Sequence, residues 1–138
     1  GYLYILNRET GEPVYGVEER AMPQSNVPGE QTFPTQPIPV RPPALARVSY
    51  DSADLVTAAD TSPEHAAACA ELVDNIGEIY NAGPFTPWSY RPGGAPGPTT
   101  LLFPGLTGGP NWGGASFDPN SGYLFVFSGD LGTFGDLS

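Results

Sequence analysis

One stretch of this chain holds most of what could bind a small molecule. Between Phe103 and Ala115, Gly105, Gly108, Gly109, Gly113 and Gly114 surround Asn111 and Trp112. Glycine lets a backbone come close to another group. Asn111 brings a donor and an acceptor on one amide, and Trp112 a flat apolar face with an N–H at its edge. A planar ligand with polar edges suits that pair, with Gly113 and Gly114 leaving room beside it. The competing role for Trp112 is packing, an indole buried over Gly-rich strands.

Familiar catalytic spacings are absent: there is no G-x-S-x-G, H-E-x-x-H, C-x-x-C or P-loop. His65 and Cys69 stand four residues apart in an Ala-rich run, on one face of the expected helix. Cys69 is the single cysteine and reads as a small, partly buried thiol. Asp118 with Asn120, and Asp130 with Asp136, put oxygen donors in Gly-rich loops without the spacing of an EF-hand, so turn chemistry explains them. The net charge is −10, with five Arg and no Lys. Such a surface repels phosphate backbones and anionic membranes, which excludes nucleic acid as a partner.

The elements that must position these residues are short. Gly (18) and Pro (17) make up a quarter of the 138 residues, and only 14% are charged. This excludes a coiled coil, a helical bundle and a membrane-spanning helix, which needs about 20 apolar residues in a row. A mainly β, turn-rich chain remains. Residues 1–17 predict a hairpin, with Tyr2–Leu6 and Pro13–Tyr15 as strands about a turn at Asn7–Gly11. Residues 18–48 carry seven prolines and predict extended, unpaired chain. Pro34 and Pro37 form one P-x-x-P there, a possible ligand pattern for an SH3-type groove.

Residues 49–82 predict helix: a short one over Ala53–Ala59 capped by Ser52, and a longer one capped by Ser62 with Pro63 in its first turn. The longer helix is expected to carry a packing stripe of Leu72, Val73, Ile76, Ile79 and Tyr80 and to stop at Gly83-Pro84. Residues 83–138 predict strands at Thr100–Phe103, after Asn111, and at Tyr123–Phe127, the last two joined by a turn at Asp118–Gly122. Gly129–Ser138 shows no terminating element. Opening as it does on the apolar Gly1–Leu6, the chain is expected to be an internal portion of a longer one.

Taken in order, these residues resemble the pyrroloquinoline quinone (PQQ) dependent dehydrogenases. Gly1–Pro13, GYLYILNRETGEP, is similar to that family's "G-x-L/I-Y/F-V-L-D-R-x-T-G-E" stretch. Val17–Glu30, Pro34–Pro37, Phe85–Ser89, Phe103–Gly105 and Asn111–Gly114 continue the resemblance in register, closest to the glucose and polyol dehydrogenase branch. The resemblance implies part of an eight-bladed β-propeller. It assigns this chain about two blades, a Pro-rich excursion and one or two short helices. It further implies PQQ and Ca²⁺ as cofactors and a sugar, polyol or alcohol as substrate. A quinone or other electron acceptor, and the remainder of the propeller, are the implied partners, and the periplasm, with membrane association of the full-length protein as an option, the implied location.

Residue by residue, the resemblance assigns Asn111, Trp112, Gly113 and Gly114 to the cofactor's surroundings. The family's catalytic Asp, its PQQ-contacting Lys and its metal ligands fall outside these residues. An isolated chain is accordingly expected to be inactive. The alternatives are a non-catalytic propeller fragment or binding module and, more distantly, an acidic Pro-rich interaction protein.

Overall fold

The Pro-rich stretch is not unpaired chain. A computed structural model describes residues 1–138. In it β1 (Val17–Ala21) and β2 (Thr35–Pro39) form an antiparallel ribbon, Val17 opposite Pro39 and Ala21 opposite Thr35. Proline is tolerated because of which edge it faces. Met22 N–H donates to the Pro34 carbonyl and Val40 N–H to that of Gly16, so the even-numbered residues of β2 face β1. Pro37 and Pro39 face the other edge, where no donor is required. The Pro37 carbonyl there accepts from the Tyr4 hydroxyl at 2.6 Å.

The first hairpin forms its turn and little ladder. The Asn7 side chain accepts from Glu9 and Thr10 N–H, and Gly11 takes φ +77°. Pairing is limited to a bridge between Leu6 and Pro13, so Tyr2–Leu6 is not a strand. The helical region is shorter than expected. Over 53–59 there is only a 3-10 turn, Ser52–Asp54, and its cap is Asp51 rather than Ser52. Asp51 accepts from Ala53 N–H while Asp54 accepts from Asp51 N–H, a reciprocal pair that completes the cap in one turn. Thr57 and Asp60 then bond to each other and close a separate turn.

Helix α1 (Pro63–Ile76) starts as predicted, Ser62 accepting from His65 N–H at 3.2 Å. It ends earlier. Gly77 adopts φ +83° and caps the Val73 and Asp74 carbonyls, freeing Ile79–Tyr80 to become β3. Of the expected stripe, Val73 and Ile76 are half-buried and Leu72 is exposed.

The central sheet has the order β3, β4 (Thr99–Leu102), β7 (Thr133–Gly135), with β4 parallel to β3 and antiparallel to β7. The 129–138 stretch, expected to lack a defined element, thus supplies an edge strand. Its glycines allow close docking. A Cβ at Gly135 would lie 2.7 Å from the Trp88 indole, and one at Gly132 would lie 2.8 Å from Phe103. β5 (Ala115–Asp118) and β6 (Tyr123–Val126) form the predicted hairpin. The Asp118 carboxylate accepts from the Ser121 hydroxyl and Asn120 N–H, which hold it below its usual range.

Only nine of 138 residues are buried, and three of the nine are polar. Thr100, fully buried on β4, accepts from Ser89 N–H at 2.7 Å, and its hydroxyl lies 2.9 Å from that of Ser89. Asn81 donates to the Leu101 carbonyl and accepts from Tyr50 and Gly83 N–H. The hairpin is the opposite case. Ala115, Phe117, Leu124 and Val126 share one face, Tyr123 and Phe125 the other, and the four aromatic and leucine side chains among them are exposed. A sheet with two apolar faces is suited to cover on both.

Two tests follow. Thr100→Val removes the acceptor of a buried N–H and should destabilise the folded protein by about 1–3 kcal/mol, read from denaturant unfolding. Ser121→Ala should raise the titration midpoint of Asp118, followed by NMR. The stabilisation from its bonds is present above the unfolded value of about 3.9 and is lost as pH falls through the lower folded value.

Candidate functional site

The Gly-rich stretch folds as a loop between β4 and β5, anchored at its root and free at its tip. At the root Gly105 N–H donates to the Leu131 carbonyl at 2.7 Å, and Leu106 N–H to the Thr133 hydroxyl at 3.1 Å. Gly108 N–H closes a turn onto Gly105. At the tip Asn111 is held at both ends of its amide. Its Nδ2 donates to the Thr107 carbonyl, and its Oδ1 accepts from Trp112 N–H at 2.8 Å. Gly114, at φ +69°, donates back to the Asn111 carbonyl at 3.1 Å. Residues 111–114 therefore form a self-bonded turn.

Trp112 stands out from this turn, 95% exposed. The packing role open to it in the sequence belongs instead to Trp88, whose indole lies over Gly135. A Cβ at Gly113 or Gly114 would meet nothing within 4 Å. Asn111 still has one amide hydrogen and one Oδ1 lone pair to offer. One flat apolar face, two unobstructed glycines and a spare amide edge fit one wall around a planar heterocycle. No arginine is hydrogen-bonded or ion-paired to this turn: Arg20, Arg47 and Arg91 pair with Glu18, Asp54 and Asp136, and Arg8 and Arg41 form no ion pair.

The other sequence candidates are not brought to this turn. The His65 ring bonds to the Thr61 hydroxyl at 2.9 Å, and Cys69 is a partly buried free thiol on α1. Asp130 accepts from Arg47 N–H at 3.0 Å. No three His, Cys, Asp or Glu side chains come together as a metal site.

Compared with known proteins, all of residues 1–138 match the family model described as glucose/ethanol/alcohol dehydrogenase, beta-propeller domain. The chain belongs to the PQQ-dependent dehydrogenase family. It is 34% identical over 133 residues to the quinate/shikimate dehydrogenase (quinone) of Acinetobacter baylyi, covering 96% of this chain and 15% of that protein. It is 31% identical over 127 residues to the glycerol dehydrogenase large subunit of Gluconobacter thailandicus, 91% of this chain and 16% of the relative. It is also 31% identical over 122 residues to the quinoprotein glucose dehydrogenase of Escherichia coli, 87% and 13%. The chain thus spans about a sixth or less of these relatives. No solved structure matches.

Family membership gives the two-faced hairpin its setting. A propeller stacks four-stranded blades around a channel, so a hairpin inside one is packed on both sides. This chain carries a mainly β part of such a propeller, as two-stranded and three-stranded sheets with no complete four-stranded blade.

Two features near the loop had no signal in residue types. Phe85, a non-glycine residue at φ +59°, is exposed on the rim of an apolar cavity of about 310 Å³ lined by Tyr2, Val48, Leu102 and Phe103. Positive φ at an aromatic residue is a strained geometry that composition does not announce. The Thr107 carbonyl is a backbone group, invisible to side-chain reasoning.

Asn111→Ala removes both amide contacts of the turn. Hydrogen exchange at the Trp112 amide, read by NMR or mass spectrometry, should accelerate in that variant and stay unchanged in Phe117→Ala.

Proposed function

We propose that this chain is a portion of a PQQ-dependent dehydrogenase that oxidises a sugar, polyol or alcohol and passes the electrons to a quinone or another acceptor. The reading rests on the match of the family model to all 138 residues. The names of the relatives, which speak of quinate, shikimate, glycerol and glucose, support polyhydroxylated substrates as a class. A periplasmic location and a Ca²⁺ requirement belong to this proposal as properties of the whole protein.

PQQ, when bound, supplies the two-electron acceptor that protein side chains lack. Within that arrangement the chain's own contribution is a wall. The Trp112 indole offers its face to a planar ring, and Gly113 and Gly114 let backbone pass close beside it. The Asn111 amide edge, fixed by the Thr107 carbonyl, presents its remaining hydrogen to a polar atom. The exposed hairpin faces are covered by the remainder of the propeller. No acid, base or cation of this chain stands in the turn itself, so proton transfer and charge neutralisation fall to groups elsewhere in the protein.

In the full-length protein, Trp112→Ala should weaken PQQ retention about threefold to tenfold, with Trp112→Phe closer to the parent. The measurement is equilibrium dialysis of PQQ against apoprotein, beside dye-linked oxidation of quinate, glycerol and glucose. Unchanged retention in the alanine variant would remove Trp112 from the site. Absence of PQQ-dependent oxidation across polyols, sugars and alcohols would favour a non-catalytic propeller module.

A further inference from the structure

The end of the Pro-rich excursion reaches the root of the Asn111–Trp112 loop. Ala46 is one of only three buried apolar residues of the chain, and Gly109 is buried beside it. A Cβ at Gly109 would stand 2.2 Å from the Ala46 Cβ, against 3.3 Å from the Ser128 hydroxyl oxygen and 3.6 Å from the Gly129 carbonyl. No two non-bonded carbons approach so closely, so this is the contact that requires glycine. The Ala46 methyl rests directly on the Gly109 backbone, and it is the only carbon between the two chain segments.

Both sides of the contact are held. Leu45 N–H donates to the Gly1 carbonyl at 2.8 Å, and Arg47 N–H to Asp130 Oδ1 at 3.0 Å, which fixes the backbone on either side of Ala46. The Arg47 guanidinium pairs with Asp54 at 2.9 Å and lies 5.4 Å from the Phe103 ring centre. On the facing segment between β6 and β7, Gly129 N–H reaches the Gly109 carbonyl at 3.4 Å. Gly109 is two residues from Asn111, so a shift at this root is carried into the turn that bears the indole.

We infer that Ala46 and Gly109 are positioning residues: their contact sets the placement of the Asn111–Trp112 turn, and through it the affinity of this wall for PQQ. The inference rests on the proposed cofactor-facing role of Trp112. It gives the excursion a task other than spanning distance, since its far end, fixed by Asp130, is the surface against which the loop root is seated. A binding group held by its supporting shell loses part of its contact when that shell shifts by about an ångström.

The test is a size exchange across the contact in the full-length protein, read as the PQQ dissociation constant of the apoprotein by equilibrium dialysis. Gly109→Ala should raise that constant about fivefold to tenfold, up to the loss expected from removing the indole. Adding Ala46→Gly removes the opposing carbon and should return it to within about threefold of the parent, which a general loss of structure would not allow. Asp130 is exposed, so variants there should fold whether or not Gly109→Ala does. Asp130→Ala should raise the constant, and Asp130→Asn, which keeps the Oδ1 acceptor, should not.

If Trp112→Ala weakens PQQ binding while Gly109→Ala and Asp130→Ala leave it unchanged, the positioning role is overturned and the cofactor wall stands. Failure of Ala46→Gly to restore a weakened Gly109→Ala protein overturns it as well. If Trp112→Ala changes nothing, the cofactor-facing reading falls, and this inference with it.

Discussion

The best-buried link between the 81–91 loop and the central sheet is the Thr100 hydroxyl. Thr100, fully buried on β4, takes the N–H of Ser89 and lies against the Ser89 hydroxyl, tying the 81–91 loop to the central strand. From that point the rest of the sheet is assembled. Ser89 accepts from Leu137 N–H, Arg91 N–H donates to Leu137, and Trp88 lies over Gly135, which seats β7 against β4. In a chain with so few buried apolar residues, a satisfied buried polar network supplies the uniqueness that a hydrophobic core otherwise provides. It does so at a cost, since each group in it must be paired.

The same scarcity of buried carbon explains the hairpin. β5 and β6 are rich in aromatic and aliphatic residues, and hydrophobic burial is the dominant favourable term in folding. The chain spans about a sixth or less of its relatives' length, and a propeller packs each blade between neighbours. Strand pairing and turn chemistry are local and form within the chain, whereas the covering of two sheet faces needs neighbouring blades. Local hydrogen bonding and distant packing are thereby separated in one molecule.

The loop that carries Asn111 and Trp112 depends on both. Its tip is stabilised by its own hydrogen bonds and stands clear of other protein. Its root is buried against β7 on one side and against the end of the Pro-rich excursion on the other. A rigid base under an open tip holds an exposed group in one place without rearrangement. The asymmetry between Trp88 and Trp112 expresses this. Two indoles of one chain serve as a packing plate and as an exposed face, and their neighbours decide which is which.

What the sequence determined by itself was local or carried by ordered motifs. The Ser62–Pro63 helix start, the Asp118–Gly122 turn and its two strands each depend on residues within a few positions, where capping and turn preferences act. The family was legible from motifs recurring in order along the whole chain, and Asn111–Gly114 was singled out by its glycines. Tertiary structure decided the rest. It chose which edge of β2 the prolines face, and so made a ribbon where proline count predicted unpaired chain. It ended α1 at Gly77, a residue that lowers helix propensity at any position but becomes a cap only when the following segment has a strand to join. It drew Thr133–Gly135 into the sheet, because only β4 supplies the partners for those backbone groups. It brought Ala46 to Gly109 across 63 positions of chain. Side-chain types record little of that approach, because a methyl seated on a backbone leaves only a small residue and a glycine as its trace.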